Sequence, residues 1–147
     1  MYFWRIEKLK KSLSEKKPSQ KEIFFYYLGL SIFTVFFINL PLIPSYSNIF
    51  YRWIEWGSMI LVSLITIIGS YFANGGGKGI DFLERFISIY FVIKIRYWVF
   101  LFFLGFIISL FSLGILSTER DSLIIHLLSY SLMTYKTITH IKEVSSS

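Results

Sequence analysis

His126, Ser129, Lys136, Thr137 and His140 lie in the last third of the chain, within a stretch otherwise rich in apolar side chains. Their spacing of i, i+3, i+10, i+11 and i+14 gathers them on one side of a helix. Imidazole, amine and hydroxyl groups on one helix face can line a water-filled path through an apolar layer. Ionisable residues inside a membrane are functional candidates by default. The plainer expectation makes His126 a hydrogen-bonded helix partner and His140 an interfacial residue. Lys136 then lies near enough to a membrane surface for its amine to snorkel there.

The same residues argue against other chemistry. His126 and His140 are 14 positions apart, roughly 21 Å along a helix, so one chain cannot place both on one metal ion. Ser129 and His126 offer a nucleophile and a base three residues apart, but no G-x-S-x-G or H-E-x-x-H pattern accompanies them. With no cysteine there is no thiol nucleophile and no disulfide. The expectation is a non-enzymatic protein with no cofactor and no metal site.

A second group, Lys78, Asp81, Glu84, Arg85, Lys94 and Arg96, follows the run Asn74-Gly75-Gly76-Gly77. A phosphate-binding loop needs Gly-Lys-Ser/Thr between a strand and a helix. Here Gly79 and Ile80 follow Lys78 and an apolar segment precedes the run. The glycines read as a turn between helices, with Asp81 as N-cap and Glu84 three residues later to answer it. The charged group reads as a cytoplasmic contact surface or a lipid-headgroup site at Lys78 and Arg85.

Residues 74–89, NGGGKGIDFLERFISI, carry an Asn-Gly-Gly turn leading into Phe-x-x-Arg-Phe at Phe82, Arg85 and Phe86. This resembles a pattern in short bacterial inner-membrane proteins. The resemblance implies a bacterial inner-membrane setting and brings no activity with it.

The elements that must position these residues are set by composition. Of 147 residues, 54% are hydrophobic, 20% aromatic and only 16% charged. An ordinary soluble domain has about 25% charged residues. The apolar residues also run in long blocks, too many to hide in one small core, so lipid is expected to solvate them. The net charge of +6 flanks those blocks, where anionic headgroups answer it, and nucleic acid is not expected as a partner.

The expected fold is all-α, a four-transmembrane-helix bundle with spans at about 23–43, 54–73, 97–117 and 122–141, each near the roughly 20 residues a bilayer requires. A basic amphipathic segment, 1–22, precedes them with Ile6, Leu9 and Leu13 at helical spacing and Tyr2, Phe3 and Trp4 at its tip. Ser19 and Glu22 form a capping box before the first span, and Pro41 and Pro44 end it. Tyr46, Tyr51, Trp53 and Trp56 read as an aromatic belt in the next connection. Gly69 and Ala73 form a small-xxx-small pair that admits another helix closely. Residues 82–96 are expected as a separate interfacial amphipathic helix between spans 2 and 3. The alternative, a crossing near 86–108, buries Lys94 and Arg96 at about 2.5 kcal/mol or more each. A polar turn at 118–121 and a cytoplasmic tail at 142–147 complete the reading.

All Lys and Arg except Arg52 and Arg120 then fall on one side, so both termini are expected in the cytoplasm. The leading expectation is a membrane subunit, acting as scaffold, sensor or effector through self-association into a homo-oligomer or through a membrane-complex partner. A small oligomeric channel or transporter lined by span 4 is the other.

Overall fold

The computed structural model describes residues 5–15, 18–38, 48–110 and 119–146. Among them are five α-helices and one short 3-10 turn, with no strand.

Helix α1, Ile6–Glu15, buries Leu9 and Leu13, the apolar stripe of the basic segment. It lies against the ends of α4 (Phe82–Leu110) and α5 (Glu119–Ser145). Lys10 fixes it there, its ammonium 2.7 Å from carboxylate oxygens of both Glu7 and Glu143. Burial pulls the Lys10 ammonium down, but its hydrogen bonds to Glu143 and Glu7 outweigh this and leave it above its ordinary value. The Lys10 and His140 hydrogen bonds hold Glu143 below the usual carboxylate range. The aromatic tip of this segment falls outside the described residues.

Helix α2, Gln20–Ile38, begins with the capping box. The Glu22 N–H donates to Ser19 Oγ at 3.3 Å, and the Ser19 N–H donates to the Glu22 carboxylate at 3.2 Å. Pro41, Pro44 and Tyr46 lie outside the described residues.

Helix α3, Ile49–Ala73, starts earlier than the expected span because Asn48 caps it, Oδ1 accepting the Phe50 N–H at 2.9 Å. Tyr51, Trp53 and Trp56 therefore belong to the helix rather than to a connection. Asn74 closes it, and Gly75 follows at φ 98, a left-handed conformation that glycine adopts without strain. The turn Gly76–Lys78 leads to Asp81, whose carbonyl accepts the Arg85 N–H at 3.1 Å as α4 begins.

Helix α4 corrects the sequence reading. Residues 82–96 are not a separate interfacial helix; they are the first half of one 29-residue helix, Phe82–Leu110. Neither glycine nor proline occurs between Phe82 and Trp98, so nothing breaks the backbone where the expected boundary fell. Phe82, Phe86 and Tyr90 stack at i, i+4 along it, ring centroids 5.6 and 5.4 Å apart.

The expectation of four spanning helices is likewise reduced. Among the described residues two helices, Ile49–Ala73 and Phe82–Leu104, are long and apolar enough to cross a membrane. Helix α5 carries Arg120, Asp121, His126, Lys136, His140, Lys142 and Glu143, which dilute its apolar content. The described part of α2 spans 19 residues and includes Lys21 and Glu22.

The long helices pack in the order α2–α4–α5–α3, with at most marginal contact between the outer pair α2 and α3. Ile89 and Val92 of α4 meet the core that Met133, Ile141 and Val144 of α5 share. The α3–α5 contact is the closest, and the small pair permits it. A Cβ on Gly69 would lie 2.6 Å from Ile138 Cδ1, and Ser145 Oγ donates to the Ala73 carbonyl at 2.8 Å. Away from α5, α3 exposes Trp53, Ile60, Leu64 and Phe72, each at least half exposed.

Candidate functional site

The α5 side of α3 and its C-cap carry four buried polar residues, with Met59 and Val62 between the first and second. Glu55, Thr66, Ser70 and Asn74 are all buried there, at i, i+11, i+15 and i+19, positions that share one helix face. They open a polar seam through an otherwise apolar molecule.

At one end of the seam, Glu55 Oε1 lies 2.9 Å from His126 Nδ1. A carboxylate only accepts, so with Glu55 ionised the imidazole carries its proton on Nδ1. Glu55 is 6% exposed. A buried carboxylate without such a partner would be strongly destabilising. The Tyr130 ring meets the imidazole edge-on at 6.3 Å.

At mid-height, the Thr66 and Thr134 hydroxyls meet at 2.6 Å, linking α3 to α5. Thr66 Oγ1 donates to the Val62 carbonyl at 2.7 Å, so the proton between the two hydroxyls belongs to Thr134. Next to them is a cavity of about 190 Å³ whose walls come from α2, α3, α4 and α5. Lys94 enters it from α4. Its ammonium donates to Thr34 Oγ1 of α2 at 3.0 Å and lies 5.8 and 5.6 Å from the ring centroids of Phe33 and Tyr90. Both distances fall within cation–π range. Among the described residues Lys94 has no carboxylate partner. Trp98, Tyr130 and Met133 border both this cavity and a smaller one of about 20 Å³ beside His126.

At the other end, Arg85 turns inward and is 6% exposed. Its Nη1 donates to Asn74 Oδ1 at 3.1 Å, and Asn74 Nδ2 donates to the Ile80 carbonyl at 3.1 Å. This side chain pair closes the glycine turn from within. Arg85 Nε, Ser70 Oγ and Ser88 Oγ are buried without a hydrogen-bond partner among the described residues.

The residues singled out from sequence are thus divided. His126, Ser129 and Thr137 face the interior, and Thr137 Oγ1 donates to the Met133 carbonyl at 2.8 Å. Lys136 lies exposed at the edge of that face. His140 is half-buried, its Nδ1 3.0 Å from Glu143 Oε2, at the α1 contact. Of the other group, Lys78 is exposed, Asp81, Glu84 and Arg96 are half-buried, and Arg85 and Lys94 point into the protein. The structure does not gather those six into one outward surface.

Glu55 and Thr34 escaped the sequence reading, although both fall within expected spans, because their partners His126 and Lys94 lie on other helices. The polar stripe Glu55, Thr66, Ser70 and Asn74 was the available signal. Among the described residues no group of three or more His, Asp or Glu is arranged to hold a metal ion. No protein-family model, no curated protein and no solved structure matches this chain.

Proposed function

We propose that the protein is a multi-pass membrane protein with four spans, both ends cytoplasmic, whose polar seam provides an interior route for small ions. The observation carrying this reading is Lys94, whose ammonium enters a cavity of about 190 Å³ that all four long helices wall. A charge at the centre of a span costs at least about 2.5 kcal/mol, and folding alone gives no reason to keep one there. Glu55 and His126 toward one face, and Arg85 and Asn74 toward the other, supply polar groups above and below it. Lys136 faces outward and takes no part in this route, which runs inside one chain and differs from a pore lined by span 4 between copies. A bacterial inner membrane is the setting that the resemblance of residues 74–89 implies.

Reconstitution into liposomes tests the proposal. Ion flux that Lys94→Met abolishes supports it. A different reading is a non-enzymatic membrane subunit acting by self-association or through a partner, and the exposed apolar face of α3 at Trp53, Ile60 and Phe72 favours it. Impermeable vesicles, with a stable homo-oligomer or a partner recovered from native membranes, would select that reading.

A further inference from the structure

We infer that the Lys94 cavity is a binding site for a small monovalent anion of halide size. This deepens the proposal above, because it rests on Lys94 lying inside the membrane layer.

The charges define what is missing. Eight of the nine acidic residues lie in α1 or at the ends of longer helices: Glu7 and Glu15, Glu22, Asp81 and Glu84, Glu119 and Asp121, and Glu143. The ninth, Glu55, is taken by His126 at 2.9 Å. The described residues therefore supply Lys94 with a hydroxyl and two ring faces but no counter-charge. An ammonium has three donor hydrogens, and the Thr34 hydroxyl accepts one.

Size and depth narrow the ligand. A cavity of about 190 Å³ holds a small anion with a few waters, each water occupying about 30 Å³. One fixed cation balances one negative charge. Lys94 is 12 residues from the start of α4 at Phe82, roughly 18 Å along the helix. That depth is beyond the headgroup layer and argues for a free ion rather than a lipid phosphate. Lysine-lined anion pores use the same attraction, and Ser63 can add a hydroxyl donor at the cavity wall, while Thr34, whose own proton goes to the Leu30 carbonyl at 2.8 Å, holds the ammonium in place.

The test uses the purified full chain in detergent micelles in sodium gluconate, with gluconate replaced stepwise by chloride or bromide at constant ionic strength. The expected result is a saturable rise in Tm, reaching about 5 °C at roughly 100 times the half-saturating concentration. Lys94→Arg keeps the effect and Lys94→Met loses it. Thr34→Val, which leaves the charge in place, weakens half-saturation about threefold or more and decides the matter if Lys94→Met does not fold. A wild-type Tm that is flat or rises without saturation overturns the site, as does an equal rise in a folded Lys94→Met. Flux in liposomes without saturable halide stabilisation refutes the anion site and leaves the route; saturable stabilisation without flux does the reverse.

Discussion

His126 Nδ1 and Glu55 Oε1 meet at 2.9 Å between α3 and α5, 71 positions apart in the chain. The contact joins the second turn of each helix, and α3 packs on no other long helix as closely as on α5. Removing one partner leaves the other buried without its counter-group. Glu55→Ala or His126→Leu alone should therefore destabilise the protein by about 3–5 kcal/mol. The double variant should recover part of that loss, read as a coupling in a double-mutant cycle by denaturation in micelles. Additive losses would mean that the contact contributes nothing specific.

Gly69 and Gly57 make opposite predictions on the same helix. A side chain at Gly69 runs into Ile138, whereas a Cβ at Gly57 meets nothing within 4 Å. Gly69→Leu should cost about 1–3 kcal/mol, and Gly57→Ala should gain about 0.5–1 kcal/mol from helix propensity. Thermal unfolding of the two variants checks both signs.

The sequence made the helical ends legible and the helix interiors less so. Ser19 with Glu22, and Asn74 with Gly75, are local signals, because a cap or turn depends on residues a few positions apart. Gly69 and Ala73 announced a close approach for the same reason, though not that Ile138 would fill it. Lys94 was harder. The transfer cost of a charge pushed it to the surface in the sequence reading, which required a helix boundary near Tyr97. No residue there breaks a helix, and Thr34, Phe33 and Tyr90, up to 61 positions away in the chain, receive the ammonium instead. Glu55 was missed because its partner lies on another helix; the polar stripe along α3 signals a buried face but not that partner.

The docking of α1 depends on pH through Lys10 and Glu143. The Glu143 carboxyl is held below its ordinary value by Lys10 and then His140. Its contribution is therefore present above about pH 4.5 and fades as pH falls through the depressed value. Lys10 is raised, so its contribution is full below about pH 10.5 and fades as pH rises through the raised value. Amide exchange in residues 6–15 should quicken toward both extremes, relative to the core of α4, after correction for intrinsic rates. The Glu143 side chain is about half exposed and that of Lys10 less so, so salt should weaken the effect only in part. Protection independent of pH would show that Leu9 and Leu13 alone hold α1.

The absence of cysteine makes topology directly testable. Single cysteines at Ser14 and Ser146 should resist a membrane-impermeant maleimide added to intact cells and react after lysis. One at Phe50, beside the start of α3, should react from outside. Labelling of Ser14→Cys from outside would overturn the orientation.

Thr34→Cys reads the central claim, an aqueous cavity with a positive charge inside the membrane layer. A thiol reacts as thiolate, which needs water and is favoured by a neighbouring ammonium. In proteoliposomes this cysteine should react with a small anionic thiosulfonate roughly tenfold or more faster than with its cationic counterpart. Ile32→Cys, on the same helix but 61% exposed outside the cavity, should react with neither. Equal, slow reaction of both cysteines would show that Lys94 faces no water, and the interior route would be lost.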